Sequence, residues 1–181
     1  MLLIFLGLKE LIQGLLYYYQ NSEKAKNILT SFAWIHICFQ PLFVNIFFSY
    51  FSQNQNKFWH IIFLISFIYG IYSITLLNEF DIQNDPDCIL TNNNDYCSLK
   101  TTSYIGKYHI GYKFNKDYSI IVFPIMYLIL LFIPTLFTNS KILGMYHIIF
   151  VLLIHVYFND IRNGEMAAIW CFLSIIFFIP L

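Results

Sequence analysis

Apolar residues fall into six runs, at about 2–19, 28–50, 58–77, 119–137, 142–158 and 167–181, and most polar residues are gathered in one segment, 78–118. An apolar run of about 20 residues makes a helix roughly 30 Å long, the thickness of a bilayer's hydrocarbon core. In hydrocarbon each backbone N–H and C=O has to be satisfied within its own segment, so the runs are expected to be helices. The pattern predicts an all-α integral membrane bundle of about six transmembrane helices with one long polar loop, in a single membrane domain over 1–181. The links from Gln20 to Asn27, Ser52 to Lys57, Thr138 to Lys141 and Asn159 to Gly164 are short, which makes successive helices antiparallel neighbours.

The first run is ambiguous. Lys9 and Glu10 sit in its middle, where each charge costs about 2.5–3.5 kcal/mol on insertion scales. It either spans or lies in the interface as an amphipathic helix, with both charges snorkelling to water. Its opening, Met1-Leu2-Leu3-Ile4-Phe5-Leu6, lacks the basic n-region and the small-x-small site of a cleaved signal peptide. The chain is therefore expected to start inside its first span or to continue upstream.

Composition agrees with this picture. Charged residues make up 11 %, against about 25 % in soluble domains, which excludes an ordinary soluble fold. With 10 Lys+Arg against 10 Asp+Glu there is no basic excess to neutralise phosphates, so nucleic acid is not an expected partner. The expected partners are the lipid bilayer and either another membrane protein or a second copy of the chain. Tyr17, Tyr18, Tyr19, Tyr50, Tyr118 and Tyr157 lie near run ends, where a ring with a polar tip suits the headgroup level.

The second run carries the densest polar set, His36, Cys38, Gln40 and Asn45, with Pro41 among them. His36 and Gln40 are four apart and share a helix face, while Pro41 has no N–H for the carbonyl of Ile37. They are expected to face the bundle interior, with Phe32, Phe39 and Phe43 opposite. One wall of imidazole, amide and carbonyl is either a site for a proton, ion or small polar ligand or a set of hydrogen bonds between helices. In the first run, Glu10 shares a face with Gln13, and near the end Glu165 follows the plausible N-cap Asn163. His36, Gln40, Asn45, Glu10 and Glu165 are thus the candidate ligand-binding residues. No catalytic residue stands out.

Among five histidines, no His-x-x-x-His occurs, and no Cys-x-x-Cys accompanies them. His147 and His155 lie two turns apart, too far to share one ion, and a zinc site from His36 and His155 would need two helices to converge. No metal and no cofactor is expected. In the polar segment, Cys88 and Cys97 are close enough for a hairpin-closing disulfide if that face is oxidising. Six acids against four lysines there also suit a non-cytosolic face. The aromatic and small residues from Tyr104 to Tyr112 suit a lid packed back over the helices. In the third run, Ser66 and Gly70 form a small-residue face for close helix contact.

Trp34-Ile35-His36-Ile37-Cys38-Phe39-Gln40-Pro41 with Asn45, the loop end around His109, and Gly164-Glu165 with Trp170-Cys171-Phe172 resemble an uncharacterised multi-pass membrane family of large DNA viruses of the mimivirus and phycodnavirus kind. The resemblance covers about a third of the chain. It implies a viral or infected-host membrane and supplies no activity. The residues themselves point first to a structural or partner-binding membrane component. The alternative is a small transporter or channel subunit using His36 and Gln40, and the third reading is an intramembrane enzyme.

Overall fold

A computed structural model describes residues 2–52, 56–75, 102–105, 109–113, 122–138 and 141–157. Five helices and one hairpin make up these residues. They are α1 (Leu2–Tyr18), α2 (Glu23–Ser49), α3 (Asn56–Thr75), β1 (Thr102–Ile105), β2 (Ile110–Lys113), α4 (Val122–Phe132), a 3-10 turn (Pro134–Phe137) and α5 (Lys141–Tyr157). The protein is mostly helical, and the five helices coincide with the first five apolar runs.

Two boundaries differ from the apolar pattern for local reasons. The second helix begins at Glu23, five residues before its apolar run, because the Ser22 hydroxyl accepts from the Ala25 amide and Glu23 sits in the first turn. The fourth ends at Phe132, because Pro134 has no N–H with which to continue it, and the chain tightens into the 3-10 turn. By contrast α2 runs unbroken through Pro41.

The mostly helical structure agrees with the all-α expectation, and the polar segment adds one hairpin, in which β1 and β2 pair antiparallel with Ser103 opposite Tyr112 and Tyr104 opposite Gly111. Thr, Tyr and Ile at Thr102, Tyr104, Ile105, Ile110 and Tyr112 are strand formers. A Cβ at Gly111 would run into the Tyr104 ring, so only glycine lets that ring lie across the hairpin. Segments this short carry no hydropathy signal strong enough to stand out beside 20-residue apolar runs.

Among the described elements α2 is the hub, packed against α1, α3, α4, β1 and the 3-10 turn. One apolar cluster joins Leu2, Phe5 and Leu6 of α1 to Val44 and Phe48 of α2, Trp59 of α3 and Leu131 of α4. The other seats Ile110 and Tyr112 of the hairpin on Leu16, Ala33, Trp34, Ile37 and Cys38. Ile110 and Tyr112 of the expected lid thus do pack back over the helices. At the close contact of α2 with α3, Ser66 is buried, and a Cβ at Gly70 would lie 2.8 Å from the Phe39 ring and 3.3 Å from the Cys38 carbonyl oxygen.

Gly144 of α5 approaches the 3-10 turn so closely that a Cβ would overlap the Thr135 carbonyl. Because backbone cannot yield as a side chain can, Gly144→Val is expected to lose about 1–3 kcal/mol. Thermal unfolding in detergent measures this, and an unchanged midpoint would show that α5 does not dock there.

Among the described residues, two helices, Glu23–Ser49 and Lys57–Thr75, are long and apolar enough to cross a membrane. The sixth expected span, 167–181, lies outside the described residues, as do Glu165, Cys88, Cys97 and the side chain of His155.

Candidate functional site

The polar side chains of α2 point inward as expected. His36 is 6 % exposed, Gln40 1 % and Asn45 0 %. They do not converge on one cavity. Each reaches a different part of the bundle. The Nε2 of His36 donates to the Phe5 carbonyl of α1 at 2.6 Å, with the imidazole stacked on the Phe5 ring at 3.7 Å between centroids. Gln40 accepts through Oε1 from the Tyr127 hydroxyl of α4 at 2.5 Å. Asn45 donates through Nδ2 to the Leu130 carbonyl of α4 at 2.9 Å and to the Ser66 hydroxyl of α3 at 3.2 Å. Trp34 adds a fourth tie, from Nε1 to the Ser73 carbonyl of α3 at 3.2 Å.

One of these ties falls on a carbonyl that its helix leaves without a donor. Leu130 lies four residues before Pro134, whose nitrogen carries no hydrogen, so its carbonyl lacks the usual intrahelical donor and Asn45 supplies one. The expected apolar back of α2 is corrected in part. Phe32 is exposed, but Phe43 stacks on Phe5 at 4.0 Å and Phe39 meets Phe67 of α3 at 5.9 Å, because α1 and α3 flank α2.

A second polar cluster forms where the hairpin meets α1. Lys9 does not snorkel to water. It lies 0 % exposed on the inner stripe of α1 with Leu2, Phe5, Leu6, Gln13 and Leu16, and its Nζ sits 4.3 Å from the centroid of the Tyr112 ring. That ring offers a negative π face to the cation. One terminal atom of the Gln13 amide lies 3.1 and 3.3 Å from the Glu10 carboxyl oxygens and 3.1 Å from His109 Nε2, and the other lies 3.2 Å from the Tyr112 hydroxyl. His109 Nε2 is 3.9 Å from Glu10, and its Nδ1 accepts from the Ile110 amide at 2.8 Å. Glu10 and His109 form the half-open edge of this cluster, while Lys9, Gln13 and Tyr112 form its buried floor.

Of the sequence candidates, Glu10 thus belongs to the hairpin cluster, and His36, Gln40 and Asn45 belong to the ties. Tyr127 was not singled out by pattern, and Lys9 and Tyr112 stood out in the sequence as a mid-run charge and a lid residue without being paired. Tyr127 had a usable signal, a hydroxyl in mid-span where the headgroup-belt reading does not apply. Lys9 and Gln13, four apart, continue the stripe of Phe5 and Leu16 on α1, which places both inward. His147 lies between the rings of Phe48 and Phe132, at 5.3 and 5.4 Å. Among the described residues, no three of His, Cys, Asp and Glu gather as metal ligands.

Fold and polar interior together define a mostly helical protein organised around one central helix. A model described as a family of unknown function, DUF5765, matches residues 1–180, and the chain belongs to that family. No curated protein and no solved structure matches it.

Proposed function

We propose that the protein is a multi-pass integral membrane protein with a structural or partner-binding role, in which α2 is the post that holds the other helices. The observation that carries this reading is an inverted distribution of polarity. Lys9, Gln13, His36, Gln40, Asn45, Ser66 and Thr135 are buried, while large apolar side chains face outward from α1 (Ile4, Leu8, Leu11), α3 (Leu64, Ile68), α4 (Ile125, Leu128) and α5 (Ile142, Leu152, Leu153). Water would penalise that outer surface, and lipid does not. On α1 the arrangement is opposite to that of an interfacial helix, which turns its charges outward. The polar groups of α2 are engaged with other helices, as suits ties and not a binding wall.

Two measurements test the proposal. The protein is expected to stay in the membrane pellet after alkaline carbonate extraction, and recovery in the supernatant would refute the membrane reading. The variant His36→Leu with Gln40→Leu is expected to remain folded and lose about 1–3 kcal/mol, because Tyr127 is left without its acceptor while the Phe5 carbonyl keeps its intrahelical donor. Unaltered stability in detergent would refute the role of these residues as ties.

A further inference from the structure

The hairpin cluster does something the ties do not, because its hydrogen bonds can be satisfied in two ways that differ by one proton. When Glu10 is ionised, the Gln13 amide has to turn its NH2 toward the carboxylate, and its oxygen accepts from the Tyr112 hydroxyl at 3.2 Å. In that arrangement the same NH2 also faces His109 Nε2 at 3.1 Å. Because His109 Nδ1 accepts from the Ile110 amide, the proton of the neutral ring sits on Nε2, and two donors confront each other.

A proton taken from water onto Glu10 removes the conflict. The Gln13 amide turns over, its oxygen accepts from both the Glu10 O–H and the His109 Nε2–H, and its NH2 donates to the Tyr112 hydroxyl oxygen. The Gln13 amide then faces complementary groups on Glu10, His109 and Tyr112, without movement of the backbone. Among the described residues, the titratable and charged groups near Glu10 are Lys9 and Tyr17 on α1 and His109 and Tyr112 on the hairpin, while His36 of α2 lies farther along α1, against Phe5. Of these, Lys9 lies across the Tyr112 ring and Tyr17 lies 6.4 Å from the His109 ring.

We propose that Glu10, Gln13, His109 and Tyr112 form a proton-binding site, in which the Gln13 amide reports the protonation of Glu10 to the hairpin by reversing its hydrogen bond to Tyr112. The site goes beyond the membrane reading and does not depend on it. The partial exposure of Glu10 and His109, 24 % and 18 % of their side chains, provides the path for the proton, and burial of Gln13 and Tyr112 confines the amide to two orientations.

Infrared difference spectroscopy of the full-length protein in detergent, titrated with pH, tests this. A protonated-carboxyl band is expected that titrates in step with a shift of the Tyr112 phenol band, as its hydroxyl changes from donor to acceptor. Glu10→Gln should abolish both changes, and Tyr112→Phe should remove only the phenol band. Gln13→Leu should leave the carboxyl titrating with no response at Tyr112. Glu10→Asp keeps a carboxyl and serves where Glu10→Gln does not fold, with a displaced midpoint expected. A Tyr112 band that ignores pH, that still follows pH in Glu10→Gln, or that still follows Glu10 in Gln13→Leu would overturn the proposal. So would the lack of a Glu10 carboxyl band. Because the readout needs no bilayer, its failure is separate from failure of the carbonate test.

Discussion

Asn45→Ala is expected to lose about 2–3 kcal/mol, at the upper end of what removing one partner of a buried hydrogen bond costs. In membrane bundles such bonds are commonly worth less, near 1 kcal/mol, because the groups left behind find other partners. The Leu130 carbonyl has no such choice, since the residue four positions on is Pro134 and supplies no N–H. The cause can be isolated with a second substitution. Pro134→Ala restores an amide at that position, and Ile133 already has helical backbone angles, so the new N–H points at the Leu130 carbonyl. In a double-mutant cycle the two changes are expected to couple by about 1 kcal/mol, with Asn45→Ala milder in the Pro134→Ala background. Additive effects, measured by denaturation in detergent, would show that Asn45 does not serve the carbonyl that proline leaves open.

Five helices were legible in the sequence because each is a long apolar run, and a signal of that length survives errors of several residues at either end. The inward direction of His36, Gln40 and Asn45 was legible for a similar reason, since a polar group among apolar neighbours has only the protein interior in which to find a partner. The identity of the partners was not. Phe5, Leu130 and Ser73 contribute carbonyls, and a carbonyl is present at every residue, so nothing in the side-chain sequence marks which one is reached. Pro134 was a partial exception, because proline four residues after Leu130 announces an open acceptor. The hairpin was illegible beside the helices, since four-residue strands depend on the surface they cover. Only once α1 and α2 form a groove do Ile110 and Tyr112 have an apolar seat.

Lys9 shows why a charge in an apolar run resists interpretation. The costs that make it unfavourable in lipid hold equally for a spanning helix and an interfacial one, so composition leaves its direction open. Direction follows from the stripe: Phe5, Lys9, Gln13 and Leu16 are spaced at three and four residues and share one face of α1. What makes the position tolerable is a residue about a hundred positions away in sequence, Tyr112, whose ring covers the ammonium. No local pattern contains that pairing.

Reversing the charge at this position is therefore expected to have the largest effect of any single substitution in the protein. Lys9→Glu sets a carboxylate against the negative face of the Tyr112 ring, in a fully buried place and beside Glu10. An uncompensated buried charge costs about 3–5 kcal/mol, a large part of the 5–15 kcal/mol that separates a typical folded domain from its unfolded chain. The hairpin is expected to leave its seat on α1 and α2, seen as faster amide exchange across β1 and β2 and as a lowered unfolding midpoint. Lys9→Met provides the contrast. It keeps the buried aliphatic stem and loses a cation–π contact of roughly 1–2 kcal/mol, while relieving the cost of holding an ammonium away from water. Its stability is expected within about 1 kcal/mol of the parent, with the hairpin in place. Equal stability of Lys9→Glu and the parent would mean that Lys9 faces solvent and that the inner stripe of α1 is drawn wrongly.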